Sequence, residues 1–468
     1  MEYLAGKRRR HTKELFFTLL LLCPAIARGQ DSQATSIEHV TVVNVVTGAE
    51  AKDQTVRIEG SRIVSIAPSR PEDGLHDAID AHGQYLIPGL WDMHIHVNDG
   101  TELPLYVANG VTGVRIMAGE RDTAALRTKL SKQTPSPDIY LASAMVDSPP
   151  SSLRGAIVIT KPDDARRAVD QIKAGGADFI SIFDAPRDAY FALVGEAKLQ
   201  HIDFEGYLPN VVTAQEASAA GQRSIDRLSG LALACSSKQK ALMAEMDRGR
   251  PFRDQLSLEA EGYSTIDPAK CFALLTQFRQ NNTWQVPILN VLRLWSHLDD
   301  PKVTSDPRLA YICRKCRDDW TVRVQPYVRG SNSHFYDRDR TFFVAGESIV
   351  GLMQKVGVPI MAGTDAMSPY CFPGFSLHDE LALMVQSGLT PLAALQTATI
   401  NPAKFLSRNK QVGTVEPGKI ANLVLLGADP LADIRNTTKI EAVWLEGKYF
   451  DKSALVDILN KAKEQARH

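Results

Sequence analysis

Short runs of alternating apolar and polar residues open and close the chain, and a longer section between them carries a different rhythm. Between Ile37 and about Pro88, residues 39–43, 55–58 and 62–66 are rich in β-branched side chains and are separated by turn signals such as Gly60-Ser61. That is the pattern of strands. The same texture returns at residues 421–426 and 442–448. Two β-rich ends around a long middle predict one composite β-sandwich domain assembled from residues 34–88 and 410–452.

In the middle, residues 89–409, short apolar runs occupy 90–94, 111–116, 139–142, 179–183, 202–206, 224–228, 284–289 and 358–362, with amphipathic helical spacing in stretches such as 162–174 and 189–199. Eight strands alternating with helices predict an α/β fold, a (β/α)8 TIM-like barrel whose working face is the C-terminal ends of its strands. Specificity is then expected in the loops after the strands, including 143–153 and 330–340, which carry no readable motif.

Composition changes this picture little. The 468 residues, 44% of them hydrophobic, suffice for a barrel and a satellite domain, and 53 Lys+Arg against 54 Asp+Glu create no global field for nucleic acid or anionic membrane. A small-molecule substrate is the expected partner, and a homo-oligomer is compatible with the composition. Residues 1–27 read as an export signal peptide: Lys7, Arg8, Arg9, Arg10 and Lys13, an apolar run from 15 to 23, then Ala25-Ile26-Ala27 as a small-x-small cleavage site. The run is too short for a permanent membrane span, so the mature chain is expected to start at or near Arg28 as a periplasmic or secreted protein with no membrane attachment. Removing five basic and two acidic residues leaves 48 against 52, a net charge of −4.

Five cysteines follow that segment: Cys235, Cys271, Cys313, Cys316 and Cys371. An odd number in an oxidising compartment leaves a free thiol. Cys235 and Cys271 form a plausible long-range disulfide. Cys313-Arg314-Lys315-Cys316 has metal-knuckle or redox spacing, but without a second such pair it reads as a disulfide or two buried thiols rather than a zinc site.

Chemistry concentrates in two places. In Leu90-Trp91-Asp92-Met93-His94-Ile95-His96 the two histidines are two apart on a strand, so both rings can face one ion. In Met361-Ala362-Gly363-Thr364-Asp365 a carboxylate follows the last strand behind a glycine that permits close backbone approach. His201, His334 and His378 read as surface or supporting residues rather than ligands.

These segments, together with residues 377–381, Asn401-Pro402-Ala403 and residues 413–424, resemble the amidohydrolase superfamily, in particular its imidazolonepropionase-like and exported Xaa-dipeptidase-like branch. The resemblance implies a pair of divalent metals at the barrel mouth. The strand 1 His-x-His and the strand 8 Asp hold one metal, a carboxylated Lys on strand 4 bridges, and histidines on strands 5 and 6 hold the other. It also implies that the Asp takes a proton from the attacking water. His94, His96 and Asp365 carry over as metal ligands, Asp365 also as the catalytic base.

The remaining positions depart from the family. Ser181 stands at the Lys position, Tyr207 and Arg227 at the two His positions, and Ile116 where strand 2 usually has an Asp. Every ligand specific to the second metal is therefore missing. The expectation is a metal-dependent hydrolase of carbon–nitrogen bonds, in amides, cyclic amides or dipeptides, running on one divalent ion, zinc being the usual match to such a donor set. The alternative is an inactive binding protein that keeps the pocket and holds no metal. Metal content after purification without added metal separates them. Arg227 turns outward to solvent, or it points into the mouth, where it places fixed positive charge against a cation or pairs with Asp365 in place of the lost one.

Overall fold

The computed structural model describes residues 35–467, apart from 71–77, 152, 247–251 and 331–332. The expected signal peptide and its cleavage point before Arg28 lie outside these residues. In chain order the first strands are β1 (Thr35–Val43), β2 (Glu50–Glu59), β3 (Arg62–Pro68), β4 (Ile79–Asp80) and β5 (Tyr85–Pro88). The middle section holds β6 (Leu90–Ile95), β7 (Val111–Ile116), β8 (Asp138–Leu141), β9 (Val146–Asp147), β10 (Ile157–Val158), β11 (Phe179–Ile182), β12 (Asp203–Gly206), β13 (Ser224–Asp226) and β14 (Trp284–Val286). β15 (Leu423–Leu426), β16 (Ile440–Leu445) and β17 (Lys448–Asp451) close the series.

Both chain ends contribute to one sheet, ordered β17-β16-β15-β5-β1-β2-β3, with β4 paired to β1. The junction is β5, parallel to β1 through Thr41–Tyr85 and antiparallel to β15 through Leu425–Leu86. Because β5 bonds on both sides, strands from the two chain ends are joined in one hydrogen-bonded sheet. It surrounds its own apolar core of Ile37, Val56, Ile58, Ile63, Leu423 and Trp444.

The middle section is α/β. Its strands form two parallel sheets, β6-β7-β8 and β10-β9-β11-β12-β13-β14, with helices between consecutive strands except from β8 to β9 and from β9 to β10. The tetrapeptide of β11, Phe-Ile-Ser-Ile, is buried throughout, as expected where a parallel sheet is covered on both faces. The helix Pro162–Ala174 shows why these connections form. Pro162 supplies a preset first turn, Asp163 and Asp164 sit at the positive end of the dipole, and Ala165, Ala168, Val169 and Ile172 make one buried stripe.

Contacts also link the two sheets. A parallel bridge joins Ala142 to Phe179, another joins Gln285 to Ile360, and the Met93 N–H donates to the Ala362 carbonyl at 2.8 Å. Residues 358–362, expected as the last strand, therefore lie between β14 and β6 but make only this isolated bridging pattern. Pro359 has no N–H to give a regular ladder. Residues 333–340, expected as part of a loop, belong to the helix Ser333–Val356, whose buried Phe335, Tyr336, Asp339 and Phe343 share one helical face.

His378, expected at the surface or in support of the site, is buried in the helix Phe375–Gln386. It ties the Asn109 carbonyl (Nε2, 3.1 Å) to the Thr437 hydroxyl (Nδ1, 2.9 Å), joining the α/β section to the C-terminal segment. Burial pushes its pKa down to about 4. An imidazole that is neutral when folded but titrates near 6.5 when unfolded costs stability as pH falls from about 6.5 towards 4. The replacement His378→Gln should flatten that acid limb, a difference on the order of 3 kcal/mol at its foot. Thermal midpoints of the two proteins between pH 4 and 7 give the comparison, and parallel curves would show that His378 is not the titrating group.

Candidate active site

His94 and His96 sit at the end of β6, and Asp365 follows the segment that runs beside it. The Thr364 and Asp365 N–H groups both donate to the His94 carbonyl, at 3.2 and 2.8 Å. Gly363 makes this approach feasible, since a Cβ there would lie 2.6 Å from Val286 Cγ1 and 2.8 Å from His94 Cβ. Asp92 fastens the same junction by accepting the Thr364 hydroxyl at 2.6 Å and the Thr364 N–H at 3.1 Å.

The side chains converge. His96 Nε2 lies 2.9 Å and His94 Nε2 3.9 Å from Asp365 Oδ1, and one ligand atom from each residue falls within 4.8 Å of the other two. Two imidazoles and a carboxylate are a donor set suited to one divalent ion with an open position. His94 and Asp365 are almost fully buried, while the His96 side chain keeps 27% of its surface exposed. The site thus has a closed floor and one solvent-facing ligand.

Arg227 points into this mouth. Its guanidinium is 3.5 Å from Asp365 Oδ2, the oxygen that does not face the histidines, and lies 6.0 Å above the Tyr207 ring. Tyr207 in turn places its hydroxyl 3.4 Å from His94 Nε2. Arg227 and Asp365 both adopt left-handed backbone, φ 58° and 56°, which a side chain bearing Cβ holds only where its surroundings enforce it. Burial would raise the Asp365 pKa, but the hydrogen bond with His96 and the charges of Arg227, His96 and His94 hold it well below the usual carboxylate range. Ser181 is fully buried inside β11, its hydroxyl without a hydrogen-bond partner. Arg227 therefore stands beside Asp365 and Tyr207 beside His94, while the Ser181 hydroxyl bonds none of these groups.

Beneath the histidines lies a buried charge cluster that the motif reading missed. Asp226 Oδ2 bonds His94 Nδ1 at 2.6 Å and Arg115 Nη2 at 2.6 Å, and Asp226 Oδ1 accepts the Ser224 hydroxyl at 2.8 Å. Arg115 Nη1 reaches Glu205 Oε2 at 2.6 Å, and its Nε donates to the Met93 carbonyl. All five side chains, Asp226, His94, Arg115, Ser224 and Glu205, are fully buried. Asp226 fixes the ring of His94 so that Nε2 faces Asp365, the orienting role that a carboxylate plays behind a ligating histidine. Burial lowers the His94 pKa, with the Asp226 hydrogen bond opposing it. Burial also pushes Glu205 up to about 7, while Asp226, sharing Arg115 with it but also bonded to His94 and Ser224, is held below its usual value.

Of the other histidines, His201 is exposed and His334 lies in the helix Ser333–Val356. A cavity of about 1060 Å³ borders the site. Val97, next to His96, and Met367, two residues past Asp365, help to line it.

Residues 347–449 match the amidohydrolase family model. Adenine deaminase 2 of Agrobacterium fabrum is 24% identical over 87% of this chain, which spans 56% of that relative's length. In structure, the bottromycin amidohydrolase superposes with a TM-score of 0.71 at 20% identity, covering 92% of this chain and 90% of that one. A Xaa-Pro dipeptidase solved with methionine in its active site gives 0.64 at 18% identity, covering 89% of this chain and all of that one.

Proposed function

We propose that this member of the amidohydrolase superfamily hydrolyses a carbon–nitrogen bond of a small amide, cyclic amide or dipeptide, using one divalent cation, zinc by its donor set, held by His94, His96 and Asp365. The observation that carries the reading is the division of labour at Asp365: Oδ1 faces both histidines and Oδ2 faces Arg227. One cation site and one fixed guanidinium fit on the same carboxylate without competing for one oxygen. The two parallel sheets, linked by the bridges at Ala142 and Gln285 and by the Met93–Ala362 hydrogen bond, are read as a single (β/α)8 barrel with this site at its mouth.

A divalent cation bound there polarises a substrate carbonyl and acidifies water. Asp365 is placed to take the proton that the attacking water gives up. The His96 hydrogen bond and the Arg227 charge lower that carboxylate's proton affinity, which weakens it as a general base. Tyr207, with its hydroxyl beside His94, closes the wall where the family's second metal would sit. The preceding sequence supports an exported protein, periplasmic or secreted, acting on a small molecule rather than on nucleic acid or membrane. No helix among the described residues is long and apolar enough to cross a membrane.

The rival reading, a binding protein without metal, draws on the same Arg227–Asp365 pair, since a guanidinium can neutralise the carboxylate by itself. Elemental analysis and zinc titration of the full chain separate the two. One ion per chain, lost in His96→Ala together with hydrolysis of an amide panel, is the expected result. Two ions per chain would refute the single-metal site, and none after zinc titration would leave the binding protein.

A further inference from the structure

The Cys313–Cys316 pair plays no part in the chemistry above. It forms a disulfide at the start of the helix Arg314–Gly330, with both residues half-buried against the large cavity. We propose that Cys313–Cys316 is a dithiol–disulfide exchange site, opened by small thiols that enter this cavity and coupled to the loop that follows His96.

Three features support exchange here. Both sulfurs already accept hydrogen bonds: Cys313 Sγ from the Cys316 backbone N–H at 3.0 Å, Cys316 Sγ from Asn98 Nδ2 at 3.2 Å. A donor that faces a disulfide sulfur is in place to stabilise the thiolate released from it. Cys313 precedes the first turn of a 17-residue helix, where the dipole favours a thiolate, and Arg314, Lys315 and Arg317 outnumber Asp318 and Asp319 around it. The cavity gives a thiol access to the bond.

The other cysteines are built differently. Cys235–Cys271 is sealed in the core, and Cys371 is a buried free thiol whose pKa burial pushes up. They serve as internal controls.

The exchange balances as follows. An external thiolate RS⁻ attacks Cys316 Sγ, forming an RS–S bond and releasing Cys313 as the better-stabilised leaving thiolate. A second RS⁻ attacks the R-bearing sulfur and frees Cys316. Two RSH become RSSR, and their two protons end on Cys313 and Cys316. The coupling follows from one face of the helix: Cys316 is held by Asn98, two residues past His96, and Trp320, one turn on, donates Nε1–H to the Met367 carbonyl at 3.1 Å, two residues past Asp365. The same helix therefore grips both loops that carry the proposed metal ligands.

The test incubates the folded, full-length chain in glutathione buffers of increasing reducing strength, quenches with an alkylating reagent and locates the label by peptide mass. Cys313 and Cys316 should be labelled together with at least about tenfold less reductant than Cys235 and Cys271 require, with Cys371 unlabelled. In Cys316→Ser, glutathione should be found on Cys313. In Asn98→Ala, which removes the donor to Cys316, the balance should move about fivefold toward the disulfide. Opening of both disulfides at the same reductant, opening of Cys313–Cys316 only on unfolding, or an unchanged balance in Asn98→Ala would overturn the proposal. Zinc affinity, read by chelator competition with the pair open and closed, should differ between the two states, and this arm rests on the proposed function. Exchange in a chain that binds no zinc in either state would count against that function and leave the exchange site standing.

Discussion

Asp226→Asn should weaken the binding of a divalent cation by about 10- to 100-fold while the chain stays folded. The expectation comes from one oxygen, Asp226 Oδ2, which is 2.6 Å from both His94 Nδ1 and Arg115 Nη2. As a carboxylate it can only accept, so Nδ1 must carry the proton and Nε2 must present its lone pair to the site. An amide of the same shape removes both the charge and that certainty: if its NH2 turns to Nδ1, the imidazole proton moves to Nε2 and His94 cannot ligate. Asparagine still fills the volume, and Arg115 keeps the Met93 carbonyl and Glu205 as acceptors, so loss of affinity is separable from loss of fold. Ser224→Ala, which removes only the hydroxyl on Asp226 Oδ1, is the milder control. Chelator competition gives the affinity and circular dichroism the fold. An unchanged affinity in a folded Asp226→Asn chain would mean that His94 is not oriented by this carboxylate, or is not a ligand.

How far the sequence alone leads depends on how local the signal is. The helix Pro162–Ala174 and the strand Val111–Ile116 were legible to the residue because proline, the acidic first turn and unbroken apolar runs act over a few positions. Residues 358–362 carried the same apolar signal, yet no regular strand results, because Pro359 withholds a donor at a position that sequence hydrophobicity does not sense. For the site, His94, His96 and Asp365 stood out because their spacing constrains them to one face and one strand end.

The supporting shell was harder to see, because its logic is long-range: Arg115, Glu205 and Asp226 come from three different strands and meet only in the fold. A local warning was nevertheless present. Each is a charged residue within a run that otherwise reads as buried, and buried charges must find partners. Pairing them would have required knowing the strand order. The direction of Arg227 was open for the same reason, since a left-handed turn at the end of β13, not strand alternation, aims it at Asp365.

The same cluster sets the largest expected loss of stability, in Arg115→Met. Arg115 is fully buried and is the cation shared by Glu205 and Asp226, with the rings of Phe179 and Phe405 at 5.8 and 5.6 Å from its guanidinium carbon. Methionine replaces much of the side chain's volume but leaves two carboxylates facing each other out of water. Removing one side of a buried ion pair costs about 3–5 kcal/mol, and here two anions lose a shared partner at once, Glu205 keeping Arg223 at 3.7 Å and Asp226 keeping His94 and Ser224. Some relief comes from protonation, most readily at Glu205, which burial already pushes up to about 7. The variant should therefore be less damaged at pH 5.5 than at pH 8, and its thermal midpoint should rise as pH falls through that range. Adding Glu205→Gln should recover part of the loss at pH 8 by neutralising one carboxylate in place, an interaction between neighbours that separate single changes would not show. Arg115→Lys should fall between, keeping the charge but not the planar fork that reaches Met93, Glu205 and Asp226 together. A folded Arg115→Met chain with an unchanged midpoint at pH 8 would show that the two carboxylates are not held ionised by this arginine, and the orienting of His94 through Asp226 would then need another source.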